Sequence, residues 1–271
     1  MTREALIFLH IPKTAGTTLN RIIEWQYNPL SIFTIDPHRI RATVDRFKTL
    51  SEQRRRQLRV VRGHMPYGIH KFLPQGGTYI TMLREPVARV LSSYYFVLRW
   101  RLHPLHAKFK SLRIEDFIRL RPERQNWQCR LLAGIGTAGI CDERVLDAAK
   151  ENLTRSFAVV GLSERFEESL LLMITSFGWK VPFYDNRKVF KNPPATDAGV
   201  IDFIHDHNRL DAELYDFAKN VFEDALRSKA DMIEQASATS RSYPKPGVLK
   251  TFCHRSVGAG RFLLSKAVSA L

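Results

Sequence analysis

The sequence predicts an α/β fold in which a single domain is built on one mainly parallel sheet flanked by helices. Short apolar runs that suit buried strands alternate with stretches of helical periodicity. Strands that alternate with helices favour a parallel sheet covered on both faces. The chain has 271 residues, of which 44% are hydrophobic, so it is long enough to bury one sizeable core.

The first predicted unit is a strand, a loop and a helix. Residues 5–9 read ALIFL, a fully apolar run, and Leu19, Ile22 and Ile23 recur at helical spacing after a polar turn. Further strands are predicted at 58–61, 78–83 and 156–161. Helices are predicted at 87–99, with Pro86 in the first turn, at about 164–176, and within the amphipathic segment 195–234.

We expect one domain, residues 1–235, followed by a basic C-terminal tail, residues 236–271. No acidic residue occurs after Glu234, and residues 237–247 are rich in Ser, Thr and Pro. That composition is typical of loosely held chain.

The charge and the cysteines narrow the class of protein. The net charge of +15 favours anionic ligands or partners, without choosing among nucleic acid, lipid, acidic polysaccharide and a charged small molecule. Cys129, Cys141 and Cys253 lack metal-ligand spacing, so neither a disulfide framework nor a zinc site is predicted. No run reaches the roughly 20 apolar residues of a membrane span, and residues 5–9 are too short for a signal peptide. We therefore expect a basic cytoplasmic protein.

A phosphate-binding loop is predicted between the first strand and the first helix, where residues 10–19 read HIPKTAGTTL. Gly16 permits close backbone approach, the helix N-terminus offers unpaired N–H groups, and Lys13 adds a compact cation. The hydroxyls of Thr17 and Thr18 add further donors. A Walker A loop would carry its Lys directly after the second Gly, whereas here Lys13 precedes Gly16.

A second motif, residues 83–96, reads LREPVARVLSSYYF and spans the end of a strand and the next helix. Arg84 is placed at the carboxyl end of the strand, where open α/β sheets bind ligands. Ser92 follows about two helical turns later. The planar fork of Arg suits a phosphate, although taken singly Arg84 could equally pair with a carboxylate.

A third motif, RGHMPYG at residues 62–68, follows the predicted strand at 58–61. His64 is our candidate for a general base, because imidazole titrates nearest to neutral pH. His10, beside the phosphate loop, is a second candidate, although a hydrogen bond that orders the loop is the simpler role for it. His70 is a third and weaker candidate.

The motifs in this order resemble those of the PAPS-dependent carbohydrate sulfotransferases, in the branch that includes the heparan sulfate 2-O- and 6-O-sulfotransferases. The family's P-K-T-[AG]-[GS]-T-[TS] loop is matched by residues 12–18, and its R-[DE]-P-x-x-R-x-x-S-x-Y segment by residues 84–94. The resemblance implies a P-loop-like sulfotransferase fold. It also implies donor-binding roles for the following residues: Lys13, Thr14, Ala15, Gly16, Thr17, Thr18, Arg84 and Ser92.

Weaker segments of the same resemblance add further candidates. Residues 126–130, NWQCR, resemble an N-x-Q-[TC]-R segment, and residues 161–164, GLSE, resemble a segment near the adenine. Without the resemblance they read as a polar helix start and a capping turn. The 2-O enzymes carry an additional His at the position of Arg62, so this departure leaves the acceptor open. We expect Ser163 to contact the donor, and we expect the substrate to be contacted by Arg62, Tyr67, His10, Asn126 and Gln128.

The resulting expectation is transfer of a sulfuryl group from PAPS, leaving PAP, to a hydroxyl of a carbohydrate. His64 acts as the base and Lys13 as the cation at the leaving oxygen, and no metal is required. Basic residues cluster at 39–62 and 84–124, so the acceptors considered include an acidic glycan, and nucleic acid is not expected. Two alternatives stay open: a P-loop kinase or nucleotide hydrolase, and a non-enzymatic polyanion-binding protein.

Overall fold

The computed structural model describes residues 4–180 and 196–233. The predicted tail, 236–271, and Cys253 lie outside these ranges. The described part forms five parallel strands in the order β2-β3-β1-β4-β5. The strands are β1 Ala5–Leu9, β2 Ile32–Ile35, β3 Val60–Gly63, β4 Gly77–Leu83 and β5 Phe157–Leu162. The predicted α/β fold with a parallel sheet flanked by helices is confirmed.

Helices connect the strands. They are α1 Gly16–Gln26, α2 Ile40–Thr49, α3 Glu52–Arg56, α4 Pro86–Arg99, α5 His106–Phe109, α6 Ile114–Arg119, α7 Trp127–Leu132, α8 Glu143–Ser156, α9 Phe166–Phe177, α10 Ala198–His207 and α11 Arg209–Ser228. Within the described ranges, no helix is long and apolar enough to cross a bilayer. The cytoplasmic location stays a prediction.

The central strands explain why the core forms. All of β1 is buried, and it pairs with β3 on one side and β4 on the other. A strand in this position is covered by neighbours and helices alike, so its sequence is continuously apolar rather than alternating. The predicted strand at 5–9 is therefore found with the same bounds, because its signal is the strongest in the chain.

The other elements differ from the prediction in small ways. The strand predicted at 58–61 runs from Val60 to Gly63, and the helix predicted from 164 begins with a 3₁₀ turn, Ser163–Arg165, before α9. Strand β2 was not predicted, since its sequence, IFTI, is only four residues long. Its short length gives too little periodicity to recognise.

Helix α4 begins where its sequence predicts. Pro86 occupies the first turn, where its missing N–H is not needed. The carboxylate of Glu85 accepts hydrogen bonds from the N–H groups of Val87 and Ala88, at 2.8 and 2.6 Å. This N-cap fixes the direction of α4 as it leaves β4.

The amphipathic segment at 195–234 contains two helices in its described part, α10 and α11, rather than one continuous helix. They separate at Asn208, whose side-chain amide donates to the Ile204 carbonyl at 2.9 Å. Its Oδ1 accepts from the Asn126 N–H at 3.1 Å. The break thus serves to anchor the segment that leads into α7.

Candidate active site

The candidate residues meet at the carboxyl edge of the sheet. His10 directly follows β1, His64 follows β3, Arg84 follows β4 and Ser163 follows β5. Because these strands are parallel, their carboxyl ends lie at one edge, which is where open α/β sheets place their binding crevice.

The loop between β1 and α1 has an unusual backbone. Lys13 and Ala15 have φ values of 74° and 63°, a left-handed conformation that non-glycine residues adopt only when the surroundings hold it. No side chain in the described ranges caps α1, and the N–H groups of Thr18 and Leu19 bond to the Ala15 carbonyl. Among the described residues, the amides of Gly16 and Thr17 in the first turn have no backbone acceptor and can therefore bind an anion.

Thr14 supports this loop from below. Its side chain is fully buried, and its hydroxyl donates to the Ile11 carbonyl at 2.8 Å. The hydroxyl is therefore used inside the loop, which leaves the backbone of Thr14 as its possible contact with a ligand.

The loop and the Arg84 motif are in direct contact. The Arg84 Nη1 donates to the Lys13 carbonyl at 3.2 Å, and the Lys13 ammonium lies 4.1 Å from the centre of the Phe96 ring on α4. Ser92 is one turn before Phe96 and so shares its face of the helix. The side of α4 that carries Ser92 is the side that faces the loop.

Gly16 makes room for His10. A Cβ atom built on Gly16 would lie 2.0 Å from the His10 Nε2 and 2.1 Å from its Cδ2, far inside van der Waals contact. The sequence had suggested that Gly16 serves the approach of a ligand. The structure adds a second reason, because any larger residue would displace the His10 ring.

His10 and His64 form a pair. The Nδ1 of His10 and the Nε2 of His64 are 3.1 Å apart, and the ring centres are 4.3 Å apart in an edge-on arrangement. Burial is the main cause that lowers the pKa of His64 to about 4, with the charge of Arg124 second. Burial, His64 and Arg62 hold the pKa of His10 well below its usual value. Both rings are therefore neutral at pH 7.

Arg62 is a buried residue at the interface of β3 with α1 and β2. Its guanidinium pairs with Glu24 at 2.5 Å and donates to the Asn20 carbonyl at 2.8 Å and to the Thr34 hydroxyl at 3.1 Å. Only 6% of its side chain is exposed. This position differs from the substrate contact predicted for it, since the buried guanidinium ties β3 to α1 and β2.

Tyr67 and His70 lie in an aromatic cluster. The Tyr67 hydroxyl bonds to the Ser156 hydroxyl at 2.7 Å, and its ring packs 4.9 Å from that of Tyr79. The Nδ1 of His70 bonds to the Tyr79 hydroxyl at 2.9 Å. These contacts explain the fold of the segment after β3, and they place His70 away from the His10 and His64 pair.

Asn126 and Gln128 anchor the start of α7. The Gln128 side chain is fully buried, accepts from the Arg84 N–H at 3.0 Å and donates to the Arg84 carbonyl at 2.9 Å. Asn126 accepts from the Asp211 N–H at 3.1 Å. Both were predicted as substrate contacts. In this structure the two amides hold Arg84 and α11 in place, and their contact with a substrate stays a prediction.

Asp211, which sequence reasoning missed, is the buried partner of this region. Its carboxylate accepts from the N–H groups of Gln128 and Cys129, at 3.1 and 2.8 Å, and lies 3.5 Å from the Arg89 guanidinium. Burial raises the pKa of Asp211, while Arg89 and the backbone N–H groups oppose that rise. In the sequence, Asp211 is one of several acidic residues of an amphipathic helix, and nothing distinguishes it from the exposed ones.

Ser163 lies at the end of β5, where its hydroxyl donates to Glu164 at 3.2 Å. Glu164 accepts from the Glu85 N–H at 3.2 Å and from the Tyr215 hydroxyl at 2.9 Å, and it lies 3.8 Å from the Arg84 Nε. Glu164 is therefore the acidic neighbour of Arg84. The sequence had left open that Arg84 pairs with a carboxylate, and Glu164 supplies one. The pair is half-exposed, which leaves Arg84 open to a stronger anionic ligand.

Two further arginines, Arg121 and Arg124, were not singled out from the sequence. Arg121 precedes the 3₁₀ turn Pro122–Arg124 and Arg124 is its last residue; residues three apart in such a turn stand above each other. Arg124 stacks 4.1 Å over Trp127, and its Nε is buried without a hydrogen bond in the described structure. Burial and the charge of Arg124 lower the pKa of Arg121 to about 10. Cationic charge is therefore concentrated here beyond what the local acids neutralise.

Metal binding has no evident centre in the described ranges. Among residues 4–180 and 196–233, no group of three or more His, Cys, Asp or Glu side chains is arranged to hold an ion. Cys129 is buried and Cys141 half-buried, and both are free thiols.

Comparison with known proteins shows which family this chain is similar to. Residues 2–130 match the model of the sulfotransferase family. The predicted family resemblance is confirmed. The heparan-sulfate 6-O-sulfotransferase 1 of Cricetulus griseus is 25% identical over 282 residues, covering 84% of this chain and 70% of the relative. The human heparan sulfate 2-O-sulfotransferase 1 is 25% identical over 189 residues, covering 62% and 53%.

The sulfotransferase match includes the loop, the His64 motif, the Arg84 motif and residues 126–130, whereas Ser163 lies beyond it. One solved structure, of mouse sulfotransferase SULT7A1 complexed with PAP, aligns with a TM-score of 0.41 and 15% identity over 89% of each chain.

Proposed function

We propose that this protein is a sulfotransferase that moves a sulfuryl group from PAPS to a hydroxyl of a carbohydrate. The observation that carries the proposal is the contact between the loop and the Arg84 motif, made by the 3.2 Å hydrogen bond from Arg84 to the Lys13 carbonyl. The two segments are separated by about seventy residues in sequence. Their meeting at the sheet edge, beside His64, gives a donor site and a base in one crevice.

The residues present fit a donor with phosphate at both ends. The first-turn amides of α1 and the Lys13 ammonium suit the 5′-phosphosulfate. Arg84 and the Ser92 face of α4 suit the 3′-phosphate, because a guanidinium donates two parallel bonds to phosphate oxygens. Bound PAPS supplies the activated sulfuryl group.

His64 serves as the base. Its imidazole takes the proton of the acceptor hydroxyl as that oxygen forms a bond to sulfur, and the bond from sulfur to the phosphate oxygen breaks. Lys13 and the loop amides stabilise the negative charge that remains on PAP. In the ligand-free protein the pKa of His64 is lowered to about 4, and a polyanionic donor beside it shifts that pKa upward.

Arg121 and Arg124 favour an acidic acceptor among carbohydrates. The Arg124 side chain is partly buried; its Nε is buried without a hydrogen bond among the described residues, and the nearby carboxylate of Glu123 is 3.8 Å away. Arg124 is also close enough to His64 to lower its pKa. A carboxylate or sulfate group on the sugar that carries the reacting hydroxyl supplies the missing charge. The relatives reported above carry the name of such a glycan, heparan sulfate.

Calorimetry with PAP tests the donor site. We expect PAP to bind the wild type, and Lys13→Ala and Arg84→Ala each to weaken binding about 10- to 100-fold, or ~1.4–2.8 kcal/mol. Lys219→Ala and Arg144→Ala are matched controls, because both side chains are exposed, on α11 and α8 respectively. ATP with magnesium serves as the competing ligand.

The two alternatives give different results in the same experiment. Tight binding of ATP with magnesium, and none of PAP, identifies a nucleotide hydrolase or kinase. Anion binding that ignores both variants but falls steeply with salt identifies a polyanion-binding protein. Either result overturns the proposal.

A further inference from the structure

We propose that His10 is the positioning residue of the base: its Nδ1 accepts a hydrogen bond from the Nε2–H of His64, which leaves the lone pair of His64 on Nδ1. The catalytic meaning of this pair rests on the proposed function, but the hydrogen bond and its direction do not. This role for His10 differs from the simpler one expected from the sequence, in which His10 only orders the loop through a hydrogen bond.

Asn20 fixes the direction of the bond. Its Nδ2 lies 3.3 Å from the His10 Nδ1, and an amide NH₂ group can only donate. The His10 Nδ1 is therefore an acceptor, and its single lone pair is shared by the Asn20 amide and, at the shorter distance of 3.1 Å, by the Nε2–H of His64. Turning the Asn20 amide around would bury two N–H donors where its Oδ1 now lies without a partner, and buried unpaired N–H groups are the rarer case.

The His10 ring is held on three sides. It stacks on Phe8 with ring centres 5.2 Å apart, meets His64 edge-on at 4.3 Å, and fills the space that Gly16 leaves open. A ring clamped in this way cannot turn its Nδ1 away from His64. The presence of glycine at residue 16 is thus tied to the position of the base.

The charges around the pair keep His10 a neutral acceptor. Arg62 on β3 and Arg124 on the 3₁₀ turn are the cations that act on His10 and His64 respectively, and His38, after β2, also acts on His64. With burial, they hold the pKa of His10 well below its usual value. A neutral acceptor orients His64 without adding a negative charge that would repel a polyanionic donor.

During transfer, the O–H bond of the acceptor breaks and an N–H bond forms at the His64 Nδ1. The imidazolium then shares its charge through Nε2–H with the His10 Nδ1, and later releases its proton to water. His10 thereby takes the place that a carboxylate holds behind the histidine of a serine-protease triad.

A matched pair of variants tests the role of His10 in turnover. His10→Asn keeps an acceptor oxygen near the position of Nδ1, whereas His10→Leu removes it. We expect His10→Leu to lower kcat about 10- to 100-fold. This loss is smaller than the roughly 10²–10⁴-fold that a group transferring the proton itself contributes. The PAP dissociation constant and the acceptor KM should stay within about threefold of the wild-type values. His10→Asn recovers most of kcat. Equal loss in both variants, or wild-type kcat in His10→Leu, overturns the proposal.

Imidazole ¹⁵N spectroscopy tests the same bond without any turnover. We expect long-range ¹H–¹⁵N spectra of the wild type to show His64 protonated on Nε2 and His10 protonated on Nε2, with His64→Ala used for assignment. Protonation of His64 on Nδ1 overturns the proposal even if the variants fail to fold. If the tautomers are as expected but the folded, PAP-binding protein transfers no sulfuryl group, the proposed function fails and the hydrogen bond stands.

Discussion

The Lys13 carbonyl accepts a hydrogen bond from the Arg84 guanidinium at 3.2 Å. Arg84 is itself held by Gln128, whose buried side-chain amide accepts from the backbone N–H of Arg84 and donates to its carbonyl. The phosphate loop is thereby connected through Arg84 to α7, and from there to Asp211 on α11. A single, partly buried hydrogen-bond network connects both ends of the proposed donor site.

Arg84→Lys tests whether the guanidinium geometry matters beyond its charge. A lysine keeps the positive charge but lacks the planar fork that bonds a phosphate and the Lys13 carbonyl together. We expect the PAP dissociation constant from calorimetry to rise about 10-fold or more. Arg144→Lys on exposed α8 is the control, and an unchanged constant in Arg84→Lys would show that charge alone binds the phosphate.

Gly16→Ala tests the packing of the loop against His10. The added methyl group meets the His10 ring, so we expect a loss of about 1–3 kcal/mol in the free energy of unfolding by denaturant. His10→Ala removes that ring, so the double variant should be more stable than the sum of the single changes predicts, by about 0.5–3 kcal/mol. Strictly additive losses would place the clash elsewhere.

Asp211→Ala tests the buried network. It leaves the Arg89 guanidinium, 6% exposed, without its carboxylate, and it removes the acceptor for two N–H groups of α7. We expect a loss of about 3–5 kcal/mol in the free energy of unfolding. Asp216→Ala on the same helix, at a side chain 71% exposed, should stay within about 0.5 kcal/mol of wild type. Similar effects for both would contradict the role of Asp211.

Stability should fall as the pH is lowered through the range from about 6.5 to 4. The pKa values of His10, His64 and His103 are lowered in the native protein, chiefly by burial, so the unfolded chain binds more protons in this range. The melting temperature should therefore decline below pH 6.5, as denaturation monitored by circular dichroism can show. His64→Gln should reduce that decline, and an unchanged slope would mean that His64 is not neutral in the native state.

Arg124→Gln separates the acceptor site from the donor site. We expect the KM for an acidic glycan to rise about 10-fold, which corresponds to the ~1.4 kcal/mol of one hydrogen bond to a charged group. The affinity for PAP should stay within about threefold of the wild-type value. A carboxyl-reduced form of the same glycan should show little difference between wild type and variant. Loss of PAP affinity in Arg124→Gln would assign this arginine to the donor instead.

The sequence predicted the fold well where the physical signal is local. A continuously apolar run such as 5–9 can only be buried, and Pro86 after a strand end marks a helix start. Strand β2 and the break at Asn208 could not be predicted in the same way. Both depend on partners distant in sequence, β3 for the strand and Asn126 for the break.

For the candidate active site, the sequence indicated which residues lie at the sheet edge but not which contacts they make. Lys13, His64 and Arg84 are found at the sheet edge because each directly follows a strand or lies in the adjoining loop. The internal contacts of Arg62 and Gln128 could not be predicted, since the sequence around a polar residue is the same whether that residue faces a ligand or supports the backbone. Asp211 was missed because burial and hydrogen bonding, which distinguish it from other acids of its helix, are tertiary properties.

The most direct test of the account is the turnover number for transfer of labelled sulfate from PAPS to a carbohydrate, measured for the wild type and for His64→Ala. We predict transfer by the wild type, and a fall of roughly 10²–10⁴-fold in His64→Ala with PAP binding unchanged. Wild-type turnover in a folded His64→Ala protein, or no transfer by a wild type that binds PAP, would contradict it.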